Sequence, residues 1–204
     1  MRPSPALAVA GVCLLVTLVL PATFPPDGGP TGFDHSVTDW VQGTFHPIDR
    51  AFLQPSQTFV LLPVMLAGAA WLAWARRPRS AATVIAAPLV ALLLTEFVLK
   101  PAFGRHLTSP YVAHRFLDYP SGNTVALASV VTAFVLVART AWARAVILAV
   151  GCVCMLGVAA GLVWYSYHWP TDIVGGICWS VAVAIVVNNL CTVPSIRRSE
   201  CRRS

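Results

Sequence analysis

The sequence predicts an all-α integral membrane protein built as a bundle of six spanning helices. Of its 204 residues, 57% are hydrophobic and only 11% are charged, whereas soluble globular domains carry about 25% charged residues. The mean hydropathy is +0.71, and several apolar runs approach the roughly 20 residues that a helix needs to cross the hydrocarbon core. These observations exclude a soluble enzyme, a disordered tail and a nucleic-acid-binding module, and they indicate one membrane domain.

Six apolar runs give the predicted spans in chain order. We place them at about residues 6–22, 58–75, 81–99, 123–138, 145–165 and 173–190. The first run is short enough for a signal peptide, but no clear A-x-A cleavage site follows it, so we expect a retained anchor. The Pro- and Gly-rich stretch 23–57 is expected to be an external loop, either a connector that rests on the headgroups or a lid.

The positive charges orient the bundle. Thirteen of the fourteen cationic residues are arginine, and most lie in short loops, where they act as topology signals. Ten arginines fall on one side of a six-span arrangement: Arg2, Arg76, Arg77, Arg79, Arg139, Arg144, Arg197, Arg198, Arg202 and Arg203. The positive-inside rule makes that side cytoplasmic. We therefore expect a cell-membrane protein with both termini, including the tail 194–204, in the cytoplasm and its histidines and aspartates at the outer face.

Polar groups at the end of the third predicted span form the first candidate segment. Glu96 and Lys100 are four residues apart with the acid first, the favourable order for a helical ion pair, and Arg105 follows a short turn. Ionisable groups at a membrane boundary are costly and indicate function by default. The equally favoured alternative is a lysine that extends to the interface beside its partner.

Two further segments lie at the same predicted face. Pro-Ser-Gly-Asn at 120–123 precedes the fourth span, where free backbone N–H groups and the helix dipole favour an anion. Ordinary helix capping is the alternative interpretation. His168 and Asp172 enter the sixth span, and a carboxylate near a histidine can select its tautomer and raise its basicity. An interfacial His-Trp pair beside a capping aspartate is the alternative there.

The three segments together resemble the type 2 phosphatidic acid phosphatase family of membrane lipid phosphatases. That family shares its catalytic core with bacterial acid phosphatases and vanadium haloperoxidases, and its pattern is Lys-x6-Arg-Pro, Pro-Ser-Gly-His and Ser-Arg-x5-His-x3-Asp. The resemblance implies that His168 is a nucleophile that forms a phosphohistidine and that Asp172 orients it. It also implies that Lys100, Ser121 and the Gly122 amide hold the phosphoryl oxygens, a task that suits positive charge and backbone donors.

Three positions depart from the family pattern. The arginine of the first motif falls on Leu107, and Arg105, two residues earlier, is the candidate phosphate-binding residue in its place. The Ser-Arg of the third motif falls on 161–162, which are Gly and Leu. The histidine of the second motif, which in the family protonates the leaving oxygen, is Asn123, and asparagine cannot do this. The auxiliary candidates for charge or proton supply are Asn123, His106, His114 and Arg115.

The expected activity is hydrolysis of a lipid phosphate or diphosphate at the outer leaflet, and a polyprenyl diphosphate is the leading substrate. A lipid diphosphate releases a phosphate monoester as its leaving group, and this leaves more easily than the alkoxide that a lipid monophosphate releases. General acid catalysis contributes typically about 10²–10⁴-fold, so loss of the acid should impair the hydrolysis of simple monoesters most. The alternatives are a weak or silent family member that binds lipid phosphate, or a membrane scaffold.

The resemblance implies no metal or cofactor, and we see no acidic cluster of the kind that binds Mg²⁺. The expected partners are the lipid substrate and the bilayer, and the sequence carries no prediction of oligomeric state.

Overall fold

The structure, a computed structural model, describes residues 5–45, 49–107 and 116–192. The α-helices are α1 (Pro5–Val19), α2 (Gly32–Thr44), α3 (Thr58–Trp74), α4 (Pro78–Leu94), α5 (Lys100–Phe103), α6 (Gly122–Val137), α7 (Ala141–Trp164) and α8 (Pro170–Thr192). The remaining elements are 3-10 helices at Leu20–Thr23 and Arg50–Ser56, a π-helical turn at Thr95–Leu99, and the antiparallel two-residue strands β1 (His106–Leu107) and β2 (Phe116–Leu117).

Within these ranges, five continuous helical stretches are long and apolar enough to cross a bilayer. They cover Pro5–Thr23, Arg50–Trp74, Pro78–Phe103, Ala141–Trp164 and Pro170–Thr192, and α6 is a shorter apolar helix. The prediction of an all-α membrane bundle is therefore confirmed. The second stretch begins before the expected residue 58, because a 3-10 helix leads into α3 almost without interruption. The expected cytoplasmic tail 194–204 lies outside the described residues.

The segment expected as an external loop contains α2, and one face of α2 packs onto the bundle. Thr31 caps the helix in a reciprocal capping box with Asp34, in which each side chain accepts a hydrogen bond from the backbone N–H of the other, satisfying two otherwise unpaired donors. Asp34, Thr38 and Val41 are buried, and α2 contacts α7 and α8. This segment is thus part of the folded structure at the end of the bundle where α7 meets α8.

Helix α8 lies at the centre of the bundle and contacts α1, α4 and α6. Small residues, including Ala87 and Ala91 on α4 and Ala184 on α8, are fully buried in the shared core, where they let helix backbones approach closely. Two hydrogen bonds tie the helices together: Trp179 Nε1 donates to the carbonyl of Ala91 over 3.1 Å, and Ser180 Oγ donates to that of Val125 over 3.1 Å. This packing brings the end of α4–α5 and the starts of α6 and α8 to one place.

Candidate active site

The start of α6 presents unpaired hydrogen-bond donors. Ser121 is the N-cap residue, and its backbone N–H donates to the carbonyl of Asp172 over 3.1 Å. Its hydroxyl is buried and, like that of Thr124, has no hydrogen-bond partner within the described part of the chain. The amides of Gly122 and Asn123 occupy the first helical turn, where no intrahelical acceptor exists. This helix end can therefore receive an anion.

The turn before α6 is anchored by Tyr119, which is fully buried. Its hydroxyl donates to the carbonyl of Thr17 over 2.6 Å, and the Tyr119–Pro120 peptide bond is cis. Gly175 on α8 lies directly against the Tyr119 ring, so a β-carbon there would overlap the aromatic carbons. Gly176 also packs closely against the start of α6, because a β-carbon on it would lie 3.2 Å from the Ser121 carbonyl oxygen. Two consecutive glycines thus let α8 pack beside this turn.

Lys100 lies over the same helix start. Its Nζ is 2.6 Å from Glu96 Oε1, and a β-carbon on Gly122 would be 3.7 Å from that Nζ and 3.1 Å from that carboxylate oxygen. The absence of a side chain at Gly122 therefore gives the ion pair access to the N-terminal amides of α6. The π-helical turn at 95–99 directly precedes Lys100, and such turns occur frequently at functional sites.

Arg105 has a different environment from the one expected. It is 2% exposed, and its guanidinium group has five N–H donors, each of which meets a protein acceptor. The acceptors are the Gly28 carbonyl at 3.3 Å, the Gly29 carbonyl at 3.0 Å, Thr171 Oγ1 at 2.7 Å, Asp172 Oδ1 at 2.7 Å and Asp34 Oδ2 at 3.0 Å. The sequence suggested that Arg105 binds phosphoryl oxygens, but in the structure every donor is used to hold the protein around Asp172.

Asp34 is a central residue of this network that the sequence analysis did not identify. Its carboxylate accepts hydrogen bonds from Arg105 and from the backbone N–H and hydroxyl groups of Thr31 and Thr171. Burial alone would raise the pKa of Asp34, but these hydrogen bonds hold that pKa below its ordinary value. Asp34 therefore remains ionised and attaches α2 to the start of α8.

His168 lies between two carboxyl groups. Its Nδ1 is 3.8 Å from Asp172 Oδ2, as the sequence motif suggested, and 3.7 Å from Oδ1 of Asp118. Both oxygens of Asp172 have other donors: Oδ1 accepts from Arg105 over 2.7 Å, and Oδ2 accepts from the Trp169 backbone N–H over 3.0 Å. Because the carboxyl groups flank Nδ1, the other ring nitrogen, Nε2, is the one left to react.

Asp118 is the second residue that the sequence analysis missed. It is 3% exposed, and burial together with the nearby charge of Asp172 raises its pKa to about 7, against the opposing charges of His168, Arg105 and Lys100. Perturbed carboxyl groups of this kind are concentrated at functional sites. Its position two residues before the Pro-Ser-Gly turn was the only signal in the sequence.

The same three side chains are also spaced closely enough to consider a metal ion. One ligand atom from each of Asp118, His168 and Asp172 lies within 4.8 Å of the others, so the structure contains an acidic cluster that we did not expect. The set suits Mg²⁺ poorly, since Mg²⁺ demands near-octahedral oxygen ligands and both oxygens of Asp172 already accept hydrogen bonds. The arrangement is better suited to sharing a proton between a carboxyl group and an imidazole.

Buried polar atoms without partners are concentrated here. Among the described residues, such atoms at the site are Asp118 Oδ2, Ser121 Oγ, Thr124 Oγ1, His168 Nδ1 and Trp169 Nε1, and one more, Thr38 Oγ1, lies on α2. Buried polar groups are normally hydrogen-bonded. A group of them beside Lys100 and a helix N-terminus indicates a place where a polar, anionic ligand binds.

The structure links six of the predicted site residues by a continuous series of contacts: Lys100, Arg105, Ser121, Gly122, His168 and Asp172. Among the auxiliary candidates, Asn123 is half-buried on the first turn of α6 and His106 is exposed on β1. His114 and Arg115 lie outside the described residues.

Comparisons with known proteins give the family and the fold of the chain. The sequence model of the PAP2 superfamily matches residues 7–192. Among solved structures, the chain is similar to a transmembrane PAP2-type phosphatidylglycerolphosphate phosphatase from Bacillus subtilis, with 17% identity and a TM-score of 0.73 over 92% of this chain and 98% of that one. A comparison with curated proteins gives no match. At this identity the structural likeness establishes the fold alone.

Proposed function

The chain belongs to the PAP2 superfamily, and from that premise we propose that it hydrolyses a lipid phosphate or diphosphate through a phosphohistidine on His168. The main support is the group of unpartnered buried polar atoms that surrounds His168 and the start of α6, next to Lys100. Among these atoms, the hydroxyls of Ser121 and Thr124 are donors, and a phosphoryl group has the charge and the acceptor oxygens to satisfy them.

The proposed reaction begins with attack of His168 Nε2 on phosphorus, which breaks the bond to the leaving oxygen. Lys100, the Ser121 hydroxyl and the Gly122 amide hold the three equatorial oxygens, whose charge must be stabilised in the transition state. Asp172 orients the imidazole and offsets the positive charge that the ring gains when Nε2 is phosphorylated. Water then attacks phosphorus, the P–N bond breaks, and His168 returns to its starting state with release of inorganic phosphate.

The leading substrate is a polyprenyl diphosphate. Asn123 cannot protonate a leaving alkoxide. When a diphosphate is attacked at its terminal phosphorus, the leaving group is a phosphate monoester, which needs little help from an acid. General acid catalysis contributes typically about 10²–10⁴-fold, so we expect the diphosphate to be hydrolysed much faster than the corresponding monophosphate.

We further propose that the site faces the outer leaflet of the cell membrane. The site lies at the end of the bundle where α7 turns into α8 and where α2 packs. The arginines Arg76, Arg77 and Arg139 lie in the connections at the opposite end, which the positive-inside rule assigns to the cytoplasm. Cysteine accessibility in intact cells, with single cysteines at the exposed positions 27 and 76, would test this orientation.

Phosphate release from lipid substrates in detergent tests the function. The purified protein is offered a polyprenyl diphosphate, a polyprenyl monophosphate, phosphatidate and phosphatidylglycerol phosphate. The variants are His168→Ala and, as the control, Asp39→Asn, an exposed residue of α2. We expect phosphate release that vanishes in His168→Ala, persists in the control, and is fastest with the diphosphate.

Two results would contradict parts of the proposal. If phosphate is released from phosphatidate as fast as from the diphosphate, or faster, the polyprenyl diphosphate is not the preferred substrate, but the protein is still a phosphatase. No release from any lipid, by protein that is folded and monodisperse, would instead indicate a silent family member, and binding of lipid phosphate would then be measured. Each assay is run with and without a chelator, and we expect no difference in rate. Loss of activity with the chelator that added Mg²⁺ restores would assign a metal to the acidic cluster.

A further inference from the structure

Resting on the proposed function, we propose that Asp118 is a positioning residue for the nucleophile. When ionised, it accepts the Nδ1 proton of His168 and leaves Nε2 free to attack; when protonated, it switches the nucleophile off. This role falls on a residue outside the three motifs, and it supplements the orienting role of Asp172.

The geometry favours Asp118 over Asp172 as the acceptor of the Nδ1 proton. The two carboxyl groups are nearly equidistant from Nδ1, at 3.7 and 3.8 Å. Each oxygen of Asp172 already accepts a hydrogen bond, from Arg105 or from the Trp169 backbone. Asp118 Oδ2 and His168 Nδ1, in contrast, are buried atoms that have no partner within the described residues. The Asp118 oxygen nearest to Nδ1 is Oδ1, and rotation of the carboxyl group about its Cβ–Cγ bond exchanges the two oxygens, so that the unpartnered Oδ2 can accept the Nδ1 proton.

The backbone N–H of Asp118 holds this residue in place. Its N–H donates to the carbonyl of Arg105 over 2.9 Å, directly after the short β1–β2 pairing. Its side chain is 4% exposed and that of His168 is 12% exposed. Little water competes for the contact, so a hydrogen bond formed there is stronger than one at the surface.

The charges around Asp118 determine which carboxyl group carries a proton. Lys100 on α5, Arg105 before β1, and His168 and Asp172 around the start of α8 all act on it electrostatically. Two ionised carboxylates on one imidazole atom repel each other, so one of them takes up a proton first. Asp172 is paired with Arg105 over 2.7 Å, whereas burial raises the pKa of Asp118, so Asp118 is the carboxyl group that takes up the proton.

The proton count of the pair gives the pH dependence. In the active form Asp118 and His168 share one proton, which is on Nδ1, and Nε2 has a lone pair. A second proton from solvent protonates Asp118, and the new O–H donates to Nδ1. The proton of the ring is then on Nε2, which has no lone pair left for attack on phosphorus. Activity is thus lost as the pH falls through about 7, the pKa to which burial raises Asp118.

The pH profile of phosphate release tests the inference with three variants. Asp118→Asn keeps an oxygen acceptor near Nδ1 but cannot titrate, so we expect the acid limb to move to lower pH by about one unit or more. We expect about tenfold lower activity at pH 8, because a neutral acceptor is weaker than a charged one. Asp118→Glu should restore an acid limb near neutrality, and Asp39→Asn should leave the profile unchanged. An Asp118→Asn profile that coincides with the unsubstituted one would overturn the proposal.

A second measurement does not depend on catalysis. The ¹⁵N signals of the imidazole rings report which nitrogen carries the proton, and His168→Gln identifies the His168 signals. We expect the Nδ1–H form at pH 8 and a titration midpoint that moves to lower pH in Asp118→Asn. An Nε2–H form at pH 8, or a midpoint unaffected by the substitution, would refute the role of Asp118. Protein that releases no phosphate but shows the expected signals would contradict only the proposed function.

Discussion

The two sides of the site differ in how completely their polar groups are paired. Around Arg105, all five N–H donors and the carboxylates of Asp34 and Asp172 have short hydrogen bonds within the protein. At the start of α6, the hydroxyls of Ser121 and Thr124 are buried without partners in the described chain. The paired side is built to hold residues in place, and the unpaired side is built to receive a ligand.

Because of this difference, we expect substitutions on the paired side to lower stability and substitutions on the unpaired side to lower activity. Removing one member of a buried ion pair leaves an uncompensated charge and costs stability. Removing a donor that has no partner costs the free protein little, and its loss is felt only when the ligand binds. Stability and activity measured together therefore separate the two sides.

The largest effect is expected on the paired side, for Arg105→Met. The substitution leaves the buried carboxylates of Asp34 and Asp172 without their cation, and breaking such a pair typically costs about 3–5 kcal/mol. Thermal unfolding in detergent measures the loss. The matched control is Arg50→Met at the exposed Arg50, whose guanidinium carbon lies 5.3 Å from the Tyr165 ring centre and is expected to contribute about 1 kcal/mol or less. Equal stability of the two variants would refute the structural role of Arg105.

A gain of activity is expected for Asn123→His, which supplies an acid on the unpaired side. The residue is half-buried on the first turn of α6, at the position where the family pattern has its acidic histidine, so we expect an imidazole there to protonate the leaving group. Hydrolysis of a lipid monophosphate should rise by about 10²-fold, and hydrolysis of the diphosphate should rise far less. Initial rates on both substrates measure the ratio. A uniform change on both would disprove the leaving-group argument.

Ser121→Ala should reduce activity without reducing stability. A hydrogen bond to a charged group contributes about 1.5–3 kcal/mol, which corresponds to roughly 10- to 100-fold in kcat/KM. The hydroxyl has no partner in the described structure, so the unfolding temperature should stay within error of the unsubstituted protein. A fall in stability as large as that of Arg105→Met would mean that the two sides are not distinct.

The smallest effect is expected for Glu96→Gln. The Glu96 carboxylate pairs with Lys100 at 2.6 Å, and its side chain is 46% exposed. Exposed ion pairs are worth about 0–1 kcal/mol, so freeing Lys100 for the phosphoryl group should lower KM by up to about fivefold with little change in kcat. A higher KM would show that Glu96 positions Lys100 rather than competing with the substrate.

The sequence was sufficient to predict the fold class. Apolar runs of span length and the arginine-rich connections indicated the bundle, and the resemblance of three short motifs to a known family predicted Lys100, Ser121 and His168 as site residues. These signals are local, because each depends on the composition of one helix or on residues a few positions apart.

The buried hydrogen-bond network around Arg105 could not be predicted from patterns of neighbouring residues in the sequence. Asp34 meets Arg105 across 71 positions and Thr171 across 137, and no spacing rule connects residues so far apart. The Thr31–Asp34 pair indicates a helix start, but only the packing of α2 onto α8 reveals what that carboxylate binds. For the same reason the sequence did not reveal the protein partners of Arg105, and Asp118 was overlooked beside a recognised motif.

The most direct test of the account is whether phosphate becomes attached to His168. The protein is mixed with a polyprenyl diphosphate labelled in its terminal phosphate and is denatured within milliseconds in alkali, which preserves phosphohistidine. The account predicts labelled protein in the unsubstituted chain and in Asp39→Asn, and none in His168→Ala. Phosphate release without labelled protein, or label that persists in His168→Ala, would contradict it.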